Sequence, residues 1–177
     1  MRDTAAVVAD IRALSRDGEN EPCEPLDVNE VVQAAVKLAL PQVYDTARLE
    51  LELGEPNPVP VIGSRLGQVV LNLIINATQA MPDRPADRNR VVVSTRAGDA
   101  AGAVIEVEDN GVGIPPEIAD RLFDPFFTTK PVGQGTGLGL ALSHSIVTSF
   151  GGELTFQPAD PEGTIFRVEL PTAGARG

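Results

Sequence analysis

The sequence is poor in aromatic residues and in cysteine, and it has no long apolar run. Aromatic side chains make up 4% of the 177 residues, so a buried core has to consist mainly of Val, Leu, Ile and Ala. Cys23 is the one cysteine and has no partner for an internal disulfide, as suits a reducing cytoplasm. No apolar run approaches the ~20 residues that cross a bilayer, and charged residues interrupt the N-terminal segment where a signal peptide would be apolar. These absences favour a soluble cytoplasmic domain without membrane contact.

Basic residues are also scarce. The chain has 14 Lys and Arg against 25 Asp and Glu, which gives a formal net charge of −11 at pH 7. Phosphate backbones attract Lys and Arg, so this charge argues against nucleic acid as the main partner. An acidic chain can still bind a small phosphate ligand through backbone N–H groups and a metal ion.

Periodicity divides the chain into a short appendage and one domain. Residues 1–20 are predicted to hold the end of an amphipathic helix and a polar linker, and residues 21–177 to form the domain. Helices are predicted to begin at the caps Asp27 and Ser64 and at Leu138. Six short strands are predicted, at 49–53, 59–62, 91–95, 104–107, 154–157 and 165–170. This order indicates an α/β (α+β) two-layer sandwich in which a mixed β-sheet packs on helices.

The predicted helix 66–81 carries one polar stripe on an otherwise apolar surface. Gln68, Asn72 and Asn76 are spaced by four residues and therefore lie on one face. Buried amides destabilise a fold unless they are paired, whereas their oxygens are suitable ligands for a hard cation such as Mg²⁺. The stripe is either a metal-binding face or a face that contacts solvent or neighbouring backbone, and the helix alone leaves both open.

Asp109 lies just after the predicted strand 104–107 and is followed by Gly111 and Gly113. The Asn-Gly pair in this segment favours a β-hairpin, but the prolines that come next begin a helix and cannot start a returning central strand. We therefore favour a strand end that directs Asp109 into a pocket, with glycines that let the backbone approach a ligand. An ionised carboxylate only accepts hydrogen bonds, so it suits an amino donor such as adenine N6.

A glycine-rich run from Gly133 to Leu140 leads directly into a predicted helix. Backbone N–H groups at a helix N-terminus form a favourable site for an anion. A flexible linker is the alternative, but the apolar helix that follows at once disfavours it. The chain has no Gly-Lys dipeptide, which excludes a Walker A loop, and Leu142 stands where the last glycine of a Rossmann motif would be.

The segment from Phe123 to Lys130 combines aromatic residues and a lysine without a clear period. Its position just before the glycine run is typical of a lid over a nucleotide. Lys130, one of only two lysines in the chain, could reach a phosphate. Taken alone, the segment would be interpreted as a surface loop anchored by phenylalanine.

In this order the four segments resemble the four boxes of the histidine-kinase catalytic domain. These are an asparagine box, a first glycine box, a phenylalanine box and a second glycine box. The resemblance covers about residues 26–172 and implies the Bergerat-type ATP-binding fold that this family shares with DNA gyrase and the mismatch-repair ATPase. The Phe-Phe-Thr-Thr-Lys segment is similar to that of nitrogen-regulation and dicarboxylate-sensing kinases.

The resemblance also implies roles for individual residues. Asn76, together with Asn72, would bind Mg²⁺ and the phosphates of ATP. Asp109 would accept a hydrogen bond from the adenine amino group, directly and through water, and Thr164 would assist near adenine. Further nucleotide contacts are implied for Gly111, Gly113, Ile114, Gly135, Thr136, Gly137, Leu138, Gly139 and Leu140.

Two differences from relatives bear on the mechanism. Relatives of another subtype carry a basic residue where this chain has Gln79, which leaves Lys130 as the candidate basic contact to a phosphate. Asn76 and Lys130 are therefore the predicted catalytic residues. Gyrase-type relatives hydrolyse ATP with a glutamate where this chain has Asn72, and an amide cannot act as a general base. A site that holds Mg²⁺-ATP without activating water fits transfer to an incoming nucleophile.

The resemblance thus implies the ATP-binding catalytic domain of a two-component sensor histidine kinase, with ATP and Mg²⁺ as cofactors. The acceptor histidine would lie on a dimerisation domain outside this chain. His144 is the only histidine and a poor candidate, because it lies within a predicted helix and Ser145 follows it where the family has an acidic residue. A response regulator would be a second partner, and a homodimer is expected only in the full-length kinase.

Two alternatives share this fold. One is an anti-sigma-factor-like serine kinase that acts on a protein partner, and the long Phe-Phe-Thr-Thr-Lys segment disfavours it. The other is an ATP-sensing module that binds the nucleotide without transfer. The presence of all four segments weighs against such a degenerate site.

Overall fold

A computed structural model describes residues 23–98, 102–129 and 136–172. The predicted helix end and linker at 1–20, and the site candidates Lys130 and Gly135, lie outside the described residues. The helices of the described part are α1 (Val28–Val43), α2 (Gly63–Gln79) and α3 (Gly139–Ser149), with short 3₁₀ turns at Ala86–Arg88 and Pro116–Arg121. Its strands are β1 (Glu24–Leu26), β2 (Arg48–Leu53), β3 (Val59–Val61), β4 (Arg90–Ala97), β5 (Ala103–Asp109), β6 (Glu153–Pro158) and β7 (Thr164–Leu170).

The strands form a five-stranded mixed sheet in the order β2-β4-β5-β7-β6. β2 and β4 are parallel, and each of the other neighbouring pairs is antiparallel. β1 and β3 form a separate antiparallel pair. The predicted mixed sheet is therefore confirmed.

The helices pack on one face of this sheet, and the other face is charged. Successive side chains of a strand point to opposite faces, so Ile105 and Val107 lie in the core while Glu106 between them binds Arg167 at 2.6 Å. Apart from Phe150 and Phe166, the buried core consists of Val, Leu, Ile and Ala, as the composition requires. This arrangement is the predicted two-layer α/β sandwich. In the part of the chain that the structure describes, no helix is both long and apolar enough to cross a membrane.

Of the two predicted helix caps, one is confirmed and one is wrong. Asp27 caps α1, as predicted, because its carboxylate accepts a hydrogen bond of 2.9 Å from the Asn29 N–H. The predicted Ser64 cap of α2 is wrong. Ile62 alone separates β3 from α2 and occupies the N-cap position, so Ser64 already lies within the first helical turn.

Two further expectations need correction. The alternating strand at 49–53 is confirmed as β2, but Leu51 and Leu53 are exposed because β2 lies at the edge of the sheet. The loop at 82–90, predicted to be exposed, contains Asn89, which is 2% exposed. Asn89 is buried because its amide donates to the Thr46 carbonyl at 2.9 Å, a contact between loops that are distant in the sequence.

Candidate functional site

Asp109 lies at the end of β5, where strand alternation directs it to the same face as the core residue Val107. It is 2% exposed, and its Oδ1 accepts a hydrogen bond of 2.8 Å from the Gly111 N–H. Burial raises the pKa of Asp109 to about 6, although the N–H groups of Gly111 and Thr164 lower it, and the nearby charge of Glu108 raises it further. The carboxylate is thus held in one orientation and is ionised at neutral pH.

The backbone around Asp109 is too close for side chains. A side chain at Gly111 would begin 2.6 Å from the Ala80 carbonyl oxygen, and one at Gly163 would collide with the Asp109 carbonyl. The Val112 N–H donates to the same Ala80 carbonyl at 3.0 Å. The first glycine segment therefore packs directly on the C-terminal end of α2, as expected for glycines that allow close approach.

The predicted adenine contact Thr164 lies beside Asp109. The two residues are register partners between β7 and β5, and Thr164 is 3% exposed. Gly113 and Ile114 follow Gly111 at this end of the sheet and are half-buried. The structure thus brings Asp109 and Thr164 together through strand pairing, with the first glycine segment next to them.

Asn72 lies in the middle of α2, against the start of α3. Its Nδ2 donates to the Ser143 hydroxyl at 3.0 Å, and a side chain at Gly139 would begin 2.5 Å from its Oδ1. Asn72 is therefore paired, but with a side chain of another helix and not with neighbouring backbone. Asn76 is half-buried one turn later, and its amide makes no hydrogen bond to another described residue.

The helix α3 begins at Gly139, one residue later than predicted. Leu138 occupies the N-cap position without a side-chain cap, and its own N–H donates to the Thr136 hydroxyl at 3.3 Å. The first N–H groups of a helix have no partner within the helix. The start of α3, which includes Gly139 and Leu140, therefore has the features of an anion site.

The phenylalanine segment contacts the second glycine segment through the backbone. The Phe126 N–H donates to the Gly137 carbonyl at 2.9 Å, and a side chain at Gly137 would begin 2.5 Å from the Phe126 carbonyl carbon. Phe126 has a φ of 66° and is 75% exposed. A backbone hydrogen bond thus joins the phenylalanine segment, before residue 130, to the second glycine segment, after residue 135.

His144 is exposed on α3 and packs against the phenylalanine segment. Its ring lies 5.1 Å from that of Phe123, centroid to centroid. This contact accounts for the histidine as a packing residue, as the sequence indicated. In the described ranges, no cluster of three or more His, Cys, Asp or Glu side chains is suited to hold a metal.

The helix α2 connects the two halves of the candidate site. Its C-terminal Ala80 contacts the Asp109 segment, and Asn72 contacts the start of α3. Ala80 lies eight positions after Asn72, which corresponds to roughly 12 Å along the helix axis. The site therefore offers a buried carboxylate at one end and amides with a helix N-terminus at the other.

The sequence patterns do not single out Arg84 as a site residue. Its guanidinium group donates to Asn89 Oδ1 at 2.6 Å, to the Asn110 carbonyl at 2.7 Å and to Glu162 Oε1 at 2.7 Å. The latter two residues adjoin Asp109 and Gly163. Arg84 is one of three arginines in a charged, proline-bearing loop, and no local signal distinguishes it from the other two.

Comparison with known proteins identifies the family. Residues 62–174 match the histidine kinase-, DNA gyrase B- and HSP90-like ATPase family. The chain is 36% identical over 177 aligned positions to the sensory histidine kinase/phosphatase NtrB of Azospirillum brasilense. This alignment covers 93% of this chain and 42% of that protein. It is 35% identical over 182 aligned positions to the sensor kinase CckA of Brucella abortus. This second alignment covers 94% of this chain and 19% of that protein. The chain thus spans less than half the length of these curated relatives.

Two solved structures are similar to this chain. The mycobacterial sensor histidine kinase MprB has a TM-score of 0.71 at 33% identity, covering 84% of this chain and 96% of that chain. The full-length ShkA structure in complex with AMPPNP has a TM-score of 0.68 at 24% identity, covers 84% of this chain and 30% of that chain, and shares the fold. The chain therefore belongs to the histidine kinase-, DNA gyrase B- and HSP90-like ATPase family, within which it is an ATP-binding catalytic domain of the histidine-kinase type.

Proposed function

We propose that the domain binds ATP together with Mg²⁺ and transfers the γ-phosphoryl group to a histidine of a dimerisation domain. The observation that carries this proposal is the arrangement along α2. A buried, oriented Asp109 lies at one end, and Asn72 lies against the N-terminus of α3 at the other. These two ends suit the two chemically different ends of ATP.

Adenine recognition is assigned to Asp109. Its carboxylate, held by the Gly111 N–H, would accept a hydrogen bond from the adenine amino group. A buried charge binds a hydrogen-bond donor more strongly than an exposed charge does, because water competes less. Thr164, Gly111, Gly113 and Ile114 would complete the base site.

Phosphate binding is assigned to the second glycine segment and the start of α3. This segment, formed by Gly135, Thr136, Gly137, Leu138, Gly139 and Leu140, would surround the phosphates, as the family resemblance implies. The absence of a side-chain cap at Leu138 supports this assignment, since an anion can take the place of a cap. Lys130 would supply the basic contact that Gln79 does not.

The metal is assigned to Asn76 and Asn72. Neutral amides fit a hard cation that takes most of its other ligands from phosphate oxygens and water, as Mg²⁺ does in nucleotide sites. Bound Mg²⁺ would neutralise phosphate charge during transfer. Asn76, whose amide makes no hydrogen bond to another described residue, is the better placed of the two to bind it.

The residues of the site orient ATP but offer no base at Asn72 that would activate water. In the transfer, a ring nitrogen of the acceptor histidine attacks the γ-phosphorus. The bond from that phosphorus to the bridging oxygen of the β-phosphate breaks, and ADP leaves. Positioning and electrostatic stabilisation supply most of the catalysis in such a step.

The partners follow from this reaction. The acceptor would be a histidine-containing dimerisation domain of the parent kinase, which acts as a homodimer in the cytoplasm and passes the phosphoryl group to a response regulator. The names of the relatives, which are sensor kinases, support these partners. They do not favour the alternative of a serine kinase.

The test follows the γ-phosphate. The domain is incubated with Mg²⁺ and γ-labelled ATP, alone and with a separately prepared dimerisation domain of the nitrogen-regulation subtype that contains its histidine. We expect acid-labile label on the added domain and none when its histidine is replaced by glutamine. Rapid release of free phosphate by the domain alone would contradict the proposal and indicate an ATPase. Binding of ATP without any transfer would favour the ATP-sensing alternative.

A further inference from the structure

Arg84 joins three segments that are distant in the sequence. One N–H of its guanidinium group donates to Asn89 Oδ1, another to the Asn110 carbonyl and a third to Glu162 Oε1, at distances of 2.6 to 2.7 Å. The planar guanidinium group carries five donors in a rigid array, which allows such a three-way contact. Its side chain is 21% exposed, so solvent reaches only part of it.

Two of these contacts hold the segments that present the proposed adenine contact. Asn110 directly follows Asp109, and Glu162 directly precedes Gly163, which packs on the Asp109 carbonyl. Arg84 therefore links the end of β5 to the loop before β7 from outside the strand pair. The Asp109 carboxylate accepts backbone hydrogen bonds from Gly111 and Thr164, one on each of these segments.

Asn110 is itself fixed by the same loop. Its Oδ1 accepts from the Arg90 N–H at 2.7 Å, and its Nδ2 donates to the Arg88 carbonyl at 2.9 Å. On the other side of the carboxylate, the Val112 N–H is bound to the Ala80 carbonyl. The turn from Asp109 to Val112 is thus held at both ends, and Arg84 provides the link to Glu162.

The contribution of Arg84 is geometric more than electrostatic. Its ion pair with Glu162 is partly exposed, since the Glu162 side chain is 53% accessible, and such pairs stabilise a fold only slightly. The pKa of Asp109 is set by burial, by the N–H groups of Gly111 and Thr164, and by Glu108. Arg84 is not among these influences.

We propose that Arg84 is a positioning residue for base selectivity. It holds Asn110 and Glu162 so that the Asp109 carboxylate meets the amino group of adenine and rejects the carbonyl oxygen that guanine presents at the same ring position. This inference rests on the proposed adenine contact of Asp109. No substrate contact is assigned to Arg84 itself.

The experiment measures the Kd of Mg²⁺-ATP and of Mg²⁺-GTP by calorimetry with the whole chain. Arg84→Ala should lower the preference for ATP over GTP by about tenfold, the loss expected when one hydrogen bond to a charged group is misaligned. Arg84→Lys, which keeps the charge without the planar array, should lose most of the preference as well. Arg96→Ala is the matched control. Arg96 also forms a partly exposed ion pair, with Glu106, but it lies near the C-terminal end of β4, away from Asp109.

The ratio of the two Kd values separates positioning from general destabilisation. A smaller folded fraction raises both apparent Kd values by the same factor and leaves their ratio unchanged. If Arg84→Ala does not fold, Arg84→Lys provides the same comparison. An unchanged ratio in a folded Arg84 variant would overturn the inference.

A further variant distinguishes this inference from the proposed function. If Asp109 recognises adenine, Asp109→Asn should abolish the preference for ATP whether or not Arg84 has the proposed role. If the unmodified chain shows no preference for ATP, or keeps its preference with Asp109→Asn, the adenine assignment fails and the role of Arg84 fails with it. If Asp109→Asn abolishes the preference and Arg84→Ala leaves it intact, only the role of Arg84 is refuted.

Discussion

Asn72 and Gly139 pack so closely that a side chain at residue 139 would begin 2.5 Å from Asn72 Oδ1. The contact joins the middle of α2 to the first residue of α3, and the hydrogen bond from Asn72 to Ser143 reinforces it. The asparagine box and the second glycine box thus meet at one point. A methyl group there would displace the Asn72 amide, since contacts below 3.0 Å do not occur for real side chains.

Gly139→Ala is therefore expected to weaken Mg²⁺-ATP binding severalfold. Calorimetric Kd values with and without Mg²⁺ would show the loss mainly when the metal is present. Gly67→Ala is the matched control, because a side chain at that position of α2 meets only Val31, at 3.7 Å. That control should leave ATP binding unchanged and stabilise the fold by about 0.5–1 kcal/mol through its helix propensity. Equal Kd values for the two variants would contradict the proposed role of Asn72.

Asp109 should make both stability and ATP binding depend on pH. Its pKa is raised from 3.8 to about 6 in the folded state, so between these values the folded chain binds a proton that the unfolded chain has released. Stability from this group is thus greatest below pH 4 and falls as the pH rises to 6, by about 3 kcal/mol in total. Asp109→Asn should remove this slope and stabilise the apo domain at pH 7.

ATP binding should change in the opposite direction. The ionised carboxylate accepts the adenine amino group, so affinity should fall as the pH drops below 6, where Asp109 becomes protonated. Calorimetry at several pH values with the unmodified chain and with Asp109→Asn separates this carboxyl from all others. Identical pH profiles for the two proteins would refute the assignment.

The two lysines provide a matched pair for the phosphate contact. Lys130→Ala should weaken ATP binding about tenfold and leave adenosine binding unchanged, because the lost interaction is with a phosphate. Lys37→Ala removes the same charge from the exposed face of α1 and should change neither. Unaltered ATP affinity in Lys130→Ala would mean that another group meets the phosphates.

Leu73 tests the buried side of α2. It is fully buried beside Asn72, and Leu73→Ala should reduce the free energy of unfolding by about 2–5 kcal/mol because it leaves a cavity. Leu38→Ala, at a position that is 66% exposed on α1, should cost within about 0.5 kcal/mol. Urea denaturation of both variants measures the difference, and similar losses would mean that α2 does not carry the core.

Local patterns predicted most of the elements. The apolar residues at 104–107 and the turn residues after them predicted β5 and placed Asp109 just beyond it, because both depend on residues adjacent in the chain; the structure extends the strand through Asp109. The Ser64 cap failed for a reason outside its own segment. The pairing of β3 with β1 leaves a single residue before α2, and nothing in the local sequence specifies that pairing.

The sequence by itself determined the core composition, the strand that ends in Asp109 and the helix that carries Asn72 and Asn76, since each follows from periodicity and residue type over a few positions. Only the tertiary structure decided the parallel pairing of β2 with β4, the contact of Asn72 with α3 and the three contacts of Arg84. Arg84 lies 5, 26 and 78 residues from its partners. The contacts over 26 and 78 residues form because strand pairing brings the segments together, and no local pattern encodes them.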